Sequence, residues 1–224
     1  ELSYFANYGL SQYRYGEVLN RLFKITNNPE HQKKSINAFR EAIVSYQKLG
    51  LTVRIAECYW RIAGIYDSLN EHLKAADNFS FASINYKKAI EKISQFKDFF
   101  QMYQLYMEAW EQIEKAKNHH IRQEYGLAKK YYEIAASIHK SLKQWSYLAP
   151  NYFAWSKLEN AEDLSRKENS EQAIQNFEQA AQLFDEGNRI LNDAVEKIES
   201  FEKQLVVSLI KATEMRHEYC VGRI

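Results

Sequence analysis

Proline and glycine are scarce in this chain: two prolines and seven glycines in 224 residues, against usual frequencies of about 5% and 7%. So few breakers exclude a many-turned sheet and favour long helices joined by short connections. Cysteine is equally sparse. Cys58 and Cys220 stand 162 residues apart without metal-ligand spacing, which argues against a disulfide framework and for a reducing compartment. No apolar run approaches the roughly 18 residues of a membrane span, and there is no signal-peptide core, so a soluble, cytoplasmic chain is expected. Thirty basic residues nearly cancel 29 acidic ones. No overall field therefore draws nucleic acid or an anionic membrane. A Gly-rich phosphate loop, a G-x-S-x-G elbow, H-E-x-x-H and C-x-x-C are all missing. The expectation is a non-enzyme with no catalytic residue, no metal ligand and no cofactor.

What the chain does have is a recurring frame of small and aromatic residues. Ser35-x3-Phe39-x2-Ala42-x3-Tyr46 is followed by Ala75-x3-Phe79-x2-Ala82-x3-Tyr86, Ala128-x3-Tyr132-x2-Ala135-x3-His139 and Ala173-x3-Phe177-x2-Ala180-x3-Phe184. Spacings of three and four place these residues on one helix face, where small side chains let a neighbouring backbone approach. Phe39, Phe79, Tyr132 and Phe177 are therefore expected to face a shared interior. Preceding the second copy is a partner pattern, Tyr59-x2-Ile62-Ala63-x2-Tyr66, joined to it by Asp67-Ser68-Leu69-Asn70-Glu71. Such a pairing predicts two antiparallel helices meeting at a polar turn.

Together these patterns resemble the tetratricopeptide repeat, whose first helix carries W-x2-L-G-x2-Y and whose second carries A-x3-F. The copies start 40, 53 and 45 residues apart, whereas the standard unit is about 34; longer helices or looser connections are implied. The first-helix signature also departs from the family: Trp110-x2-Ile113 is followed by Glu114, and Trp155-x2-Leu158 by Glu159, where glycine or alanine is expected. The resemblance implies an all-α, antiparallel helix-hairpin solenoid of about nine helices, with residues 1–224 forming one domain. A start at Glu1 and a stop at Ile224 within a helical pattern suggest a segment of a larger protein.

Local signals set the boundaries. A first helix from Leu2 to about Ile25 ends at Thr26–Glu30, with Asn28 as N-cap and Pro29 in the first turn of the second helix, where its missing N–H costs nothing. Gly50 is the expected left-handed stop. Asn70 is read as the N-cap of a fourth helix, which breaks near Ser94–Lys97. Asn118-His119-His120 is read as a solvated turn between the fifth and sixth helices. Pro150 falls in or at the first turns of a seventh, and Asn169 or Ser170 caps an eighth that runs through Gly187 toward Ile198. A ninth is expected from Phe201 to Tyr219, with Leu205, Leu209 and Met215 inward.

Four constellations raise chemical questions. His120 and Glu124, one turn apart, could share an ion, but no third ligand is near. Glu159, Glu162 and Asp163 resemble paired carboxylates but lack an opposing partner across a cleft, so a solvated face is expected. His139 occupies an aromatic slot and is expected to pack there with a satisfied ring nitrogen. Lys33, Lys87 and Lys129 could form a ridge for a polyanion, although acidic neighbours favour plain solvation.

A solenoid of the family presents a concave face lined by the first helix of each pair. By that resemblance the partner-binding residues are Glu57, Trp60, Arg61, Asp67, Glu111, Lys115, Phe153, Ser156 and Asn160. Trp60 and Phe153 are the aromatic anchors, with burial against a neighbouring helix as their alternative fate. The implied function is a noncatalytic scaffold that binds a peptide or partner helix or mediates self-association. The alternative is a regulatory segment that senses a nucleic acid or small ligand for an attached effector domain.

Overall fold

The computed structural model describes the backbone of residues 2–221 and the side chains through residue 196. Eight α-helices follow one another, with no strand among the described residues: α1 (Leu2–Thr26), α2 (Pro29–Lys48), α3 (Thr52–Ser68), α4 (His72–Lys92), α5 (Lys97–Ile121), α6 (Tyr125–Ser141), α7 (Ala149–Arg166) and α8 (Ser170–Val221). Each helix packs on the next in sequence. None among the described residues is long and apolar enough to cross a membrane.

The predicted stops act as stops. Asn28 caps α2 by accepting the Glu30 N–H on its side-chain oxygen at 3.1 Å, with Pro29 in the first turn. Gly50 adopts a φ of +65°. Asn70 does something else than expected: its φ of +57° makes it the left-handed end of α3 and not the N-cap of α4, a place taken by Glu71. Asn27, Gln123 and Glu168 adopt the same conformation in the other three odd-to-even turns. After Asn70, Gln123 and Glu168 the next N–H reaches back five residues, from Glu71 to Tyr66, Glu124 to His119 and Asn169 to Leu164. This closure satisfies carbonyls at the helix end. With Gly50, after which the Leu51 N–H reaches the Tyr46 carbonyl, four turns of one geometry recur where the sequence shows only unlike residues.

Other boundaries move. α5 continues through His119 and His120 to Ile121, so the pair sits on the last helical turn and not in a loop. Pro150 lies at the very start of α7, where it replaces no helical hydrogen bond, and not inside the helix. Asn169 caps α8, its side-chain oxygen 3.4 Å from the Gln172 N–H. The ninth helix does not exist as a separate element: α8 is one helix of 52 residues. Between Ile198 and Phe201 the chain holds neither proline nor glycine, so nothing interrupts the ladder. Leu205, Leu209, Met215 and Cys220 lie outside the described side chains.

Of the four frame aromatics, Phe39, Phe79 and Tyr132 are buried as expected, while Phe177 is 38% exposed. The difference follows from what comes next in the chain. Phe79 stacks on Trp110 of α5, and Tyr132 on Tyr152 and Trp155 of α7. No described helix follows α8 to cover Phe177 in the same way. The small residues Ala173 and Ala180 do what the frame requires and are buried against α7. A first core joins α1 through α5 and a second joins α5 through α7, with Trp110 packed against both.

Close packing makes two glycines unequal. A Cβ on Gly16 would lie 3.0 Å from the ring of the fully buried Phe39, whereas one on Gly187 would meet Pro150 at an ordinary 3.7 Å. Overpacking costs about 1–3 kcal/mol against a helix-propensity gain of up to about 1 kcal/mol. Gly16→Ala should therefore lower the thermal midpoint and Gly187→Ala raise it by a few degrees; equal shifts in a melting experiment would contradict the packing of α1 on α2.

Candidate functional site

Three of the expected partner-binding residues gather in one recess. Glu57, Trp60 and Arg61 of α3 line a hollow of about 280 Å³ with Tyr13 and Glu17 of α1 and Tyr103 of α5. Arg61 donates from Nε to the Tyr13 hydroxyl at 3.2 Å and from a terminal nitrogen to Glu17 at 3.4 Å. Burial raises the Tyr13 pKa, and the Arg61 guanidinium opposes that rise. Trp60 is half-buried, its ring 6.1 Å from Tyr103 and 5.9 Å from Tyr106, and Tyr106 in turn stacks on Trp145 at 4.0 Å. The floor of the recess is thus aromatic and its rim charged.

The remaining expected residues do not join it. Glu111 and Lys115 pair with each other at 2.6 Å along α5. Phe153 packs part-buried on the second core. Ser156 is buried and donates to the Phe153 carbonyl at 2.8 Å, and Asn160 donates to Asn176 of α8 at 2.8 Å. Lys33 and Lys87 are exposed, and Lys129 lies 4.0 Å from Glu133.

Asp67 belongs to a second hollow, of about 370 Å³, lined also by His72, Lys117, His120, Tyr132, Tyr152 and Trp155. Beside it lies a partly buried ionic cluster, with Glu114 and His72 buried and Asp67 and Lys117 each about a third exposed. Glu114 of α5 is fully buried, with His72 Nδ1 2.8 Å from one carboxylate oxygen. Lys117 donates to its other oxygen at 2.6 Å and to Asp67 at 2.7 Å. Burial pushes the Glu114 pKa up, against the pull of Lys117 and His72. Burial alone would depress Lys117; its bonds to Asp67 and Glu114 outweigh that and hold its pKa above the ordinary 10.5. Asp67, His72 and Glu114 bring ligand atoms within 4.8 Å of one another. The Lys117 ammonium, however, already bridges the two carboxylates, so a metal ion would have to displace a built-in cation.

Glu159 on α7 repeats part of this arrangement and corrects a sequence expectation: it is 1% exposed, not solvated. One oxygen lies 2.8 Å from His120 Nδ1, while the other has no hydrogen-bond partner among the described atoms. Burial raises its pKa, and His120 lowers it. His120 therefore faces Glu159, and it is His119 that meets Glu124, at 2.5 Å. Asp163 pairs with Lys167 at 2.6 Å. His139 is fully buried as a packing residue, but neither ring nitrogen has a partner, contrary to the satisfied nitrogen expected. A signal for the two glutamates was present. Both occupy the slot held by buried Ala63 in α3, where a charge must find partners. Nothing local pointed to His72, which reaches Glu114 from another helix.

Comparison of the chain with protein-family models, curated proteins and solved structures finds no match.

Proposed function

We propose that this chain is a noncatalytic binding scaffold, a solenoid of four tetratricopeptide-like hairpins whose odd-numbered helices present a face to a peptide or partner helix. The observation that carries this reading is the recess at Glu57, Trp60 and Arg61, because α1, α3 and α5 all contribute to it although even-numbered helices separate them in sequence. Side-chain contacts continue that row: Lys117 of α5 reaches Asp67 of α3, and Trp110 of α5 lies against Tyr152 of α7. An aromatic floor ringed by arginine and glutamate suits an amphipathic peptide, with one apolar anchor and flanking charges.

Fluorescence anisotropy against an array of helical and extended peptides tests this. Peptides that bind the native chain should lose at least about tenfold in affinity, or 1.4 kcal/mol, with Trp60→Ala and with Arg61→Ala while melting stays cooperative. Peptide binding indifferent to both substitutions, or absent throughout the array, would sink the recess as the recognition site.

A second reading, a small-ligand sensor, draws on the hollow between His72, His120, Tyr132 and Trp155, whose volume of about 370 Å³ is within the range of small-molecule sites. Ligand-induced stabilisation abolished by Trp155→Ala but not by Trp60→Ala would favour it.

A further inference from the structure

Helices α1 and α8 stand at opposite ends of the packing order, and each keeps a long face that no described helix covers. On α1 that face carries Tyr8, Ser11, Tyr15, Val18, Leu22 and Ile25, at alternating spacings of three and four; Val18 is 60% exposed and Ile25 80%. On α8 it carries Ile174, Phe177, Ala181, Asn188 and Leu191 in the same alternation, with Phe184 at its edge, half-buried against Trp155 of α7. This is the seam of a helix built to lie along another helix. Polar Ser11 and Asn188 interrupt each stripe once, as register-setting residues do.

Charge selects the occupant. Arg14 and Arg21 stand exposed beside the α1 stripe, one position before Tyr15 and Leu22, and Lys24 adds to them; Glu17 is the only acid of that helix. Beside the α8 stripe stand Glu178 and Asp185, each exposed and one position after a stripe residue, with exposed Glu171 two turns before Glu178. Glu186, Asp193 and Glu196 follow, and through residue 196 only Arg189 is basic. Two α1 faces repel one another, as do two α8 faces; one of each attracts. The 25 residues of α1, about 37 Å, match only the first half of the 52-residue α8, so the contact would occupy that half alone.

We propose that copies of this chain associate end to end, the apolar stripe of α1 in one copy lying on that of α8 in the next. Such a contact is heterologous. Every dimer still offers one free face of each kind, so assembly continues past two copies. The contact uses the ends of the helix order and leaves the α3 recess open, so it stands or falls apart from the peptide-binding reading.

Sedimentation velocity on the 224-residue chain over a concentration series tests it. The weight-average mass should rise beyond that of a dimer and fall back when salt is added, because exposed charges are screened. Val18→Asp and Phe177→Asp, both at exposed positions, should each weaken self-association at least about tenfold while melting as the native chain does. Mixed together, the two variants should form a one-to-one dimer and nothing larger, since each retains the face that the other lacks. Arg14→Glu combined with Arg21→Glu should weaken assembly without touching an apolar residue. A native chain that is monomeric throughout would mean that another protein or segment covers these faces, and would overturn the proposal. So would variants that still self-associate, a mixture that yields no dimer, or assembly indifferent to salt and to the charge reversals.

Discussion

Lys117→Met is expected to be among the most damaging single substitutions in this protein, lowering its unfolding free energy by roughly 3 kcal/mol. The ammonium is the shared partner of Asp67 and Glu114, at 2.7 and 2.6 Å, and the Glu114 carboxylate is wholly removed from water. Taking away the cation leaves a desolvated anion with only His72 beside it, and such a charge costs more than the pair ever contributed. The deficit should shrink in acid. Burial already raises the Glu114 pKa in the native protein, and without Lys117 it rises further, so protonation relieves the variant as pH falls toward the carboxylate range. Native Lys117 over the same interval loses its anionic partner, which narrows the gap from the other side. Urea titrations of both proteins between neutral pH and the onset of acid unfolding measure this difference. Equal stability at neutral pH would show that water, not Lys117, balances the cluster. Combining Glu114→Gln with Lys117→Met should cost less than the two single substitutions added together, as coupled neighbours do.

His139→Phe should act in the opposite direction. The imidazole lies between Tyr106 and Tyr152, with ring centroids at 5.8 and 5.3 Å, and both nitrogens are buried without partners. The other copies of the frame place Tyr46, Tyr86 and Phe184 in this slot, so an aromatic hydrocarbon fits the repeat. Removing two unsatisfied polar atoms should stabilise the protein by about 1–2 kcal/mol at neutral pH. The pH dependence is the sharper test. Burial lowers the His139 pKa from 6.5 to about 4. The unfolded chain therefore takes up the proton first, and native stability present above pH 6.5 drains away as pH falls toward 4. The loss amounts to about 3 kcal/mol at 1.36 kcal/mol per pH unit. The phenylalanine variant lacks this component, so its stability should stay flatter over that window. Parallel curves would mean that the ring is hydrated or protonated in the fold.

These two sites mark where sequence reasoning stops. Helical conformation was legible along the chain, because the small and aromatic frame and the scarcity of proline act locally, but the break expected before Phe201 is absent and eight helices stand among the described residues where about nine were expected; Asn28, Pro29 and Gly50 fall where their backbone preferences place them. Asn70 was misplaced by its chemistry, since asparagine suits both an N-cap and a left-handed helix end, and only the closure from Glu71 to Tyr66 decides between them. Gln123 and Glu168 carried no signal of that conformation at all. At the candidate site, Glu57, Trp60 and Arg61 were named through the tetratricopeptide resemblance and lie together, whereas Ser156 is buried and bonds within α7 and half-buried Asn160 bonds to α8. Glu159 looked solvated beside Glu162 and Asp163. Its burial depends on His120, 39 residues away, and pairings across that distance leave no periodic trace.

The unequal repeat lengths find their place in the two kinds of joint. Odd-to-even turns at Asn70, Gln123 and Glu168 share one hydrogen-bonded closure and tolerate no extra residue without losing it. Even-to-odd joints vary: after α2 the left-handed Gly50 makes that same closure, from Leu51 to Tyr46, whereas short 3₁₀ turns follow α4 at Ser94–Phe96 and α6 at Ser146–Leu148. Around the first of these turns every residue from 91 to 99 is exposed. Growth or trimming of the chain by a few residues is absorbed at that seam while each hairpin keeps its shape, and the same seam offers a protease or an inserted label its easiest foothold.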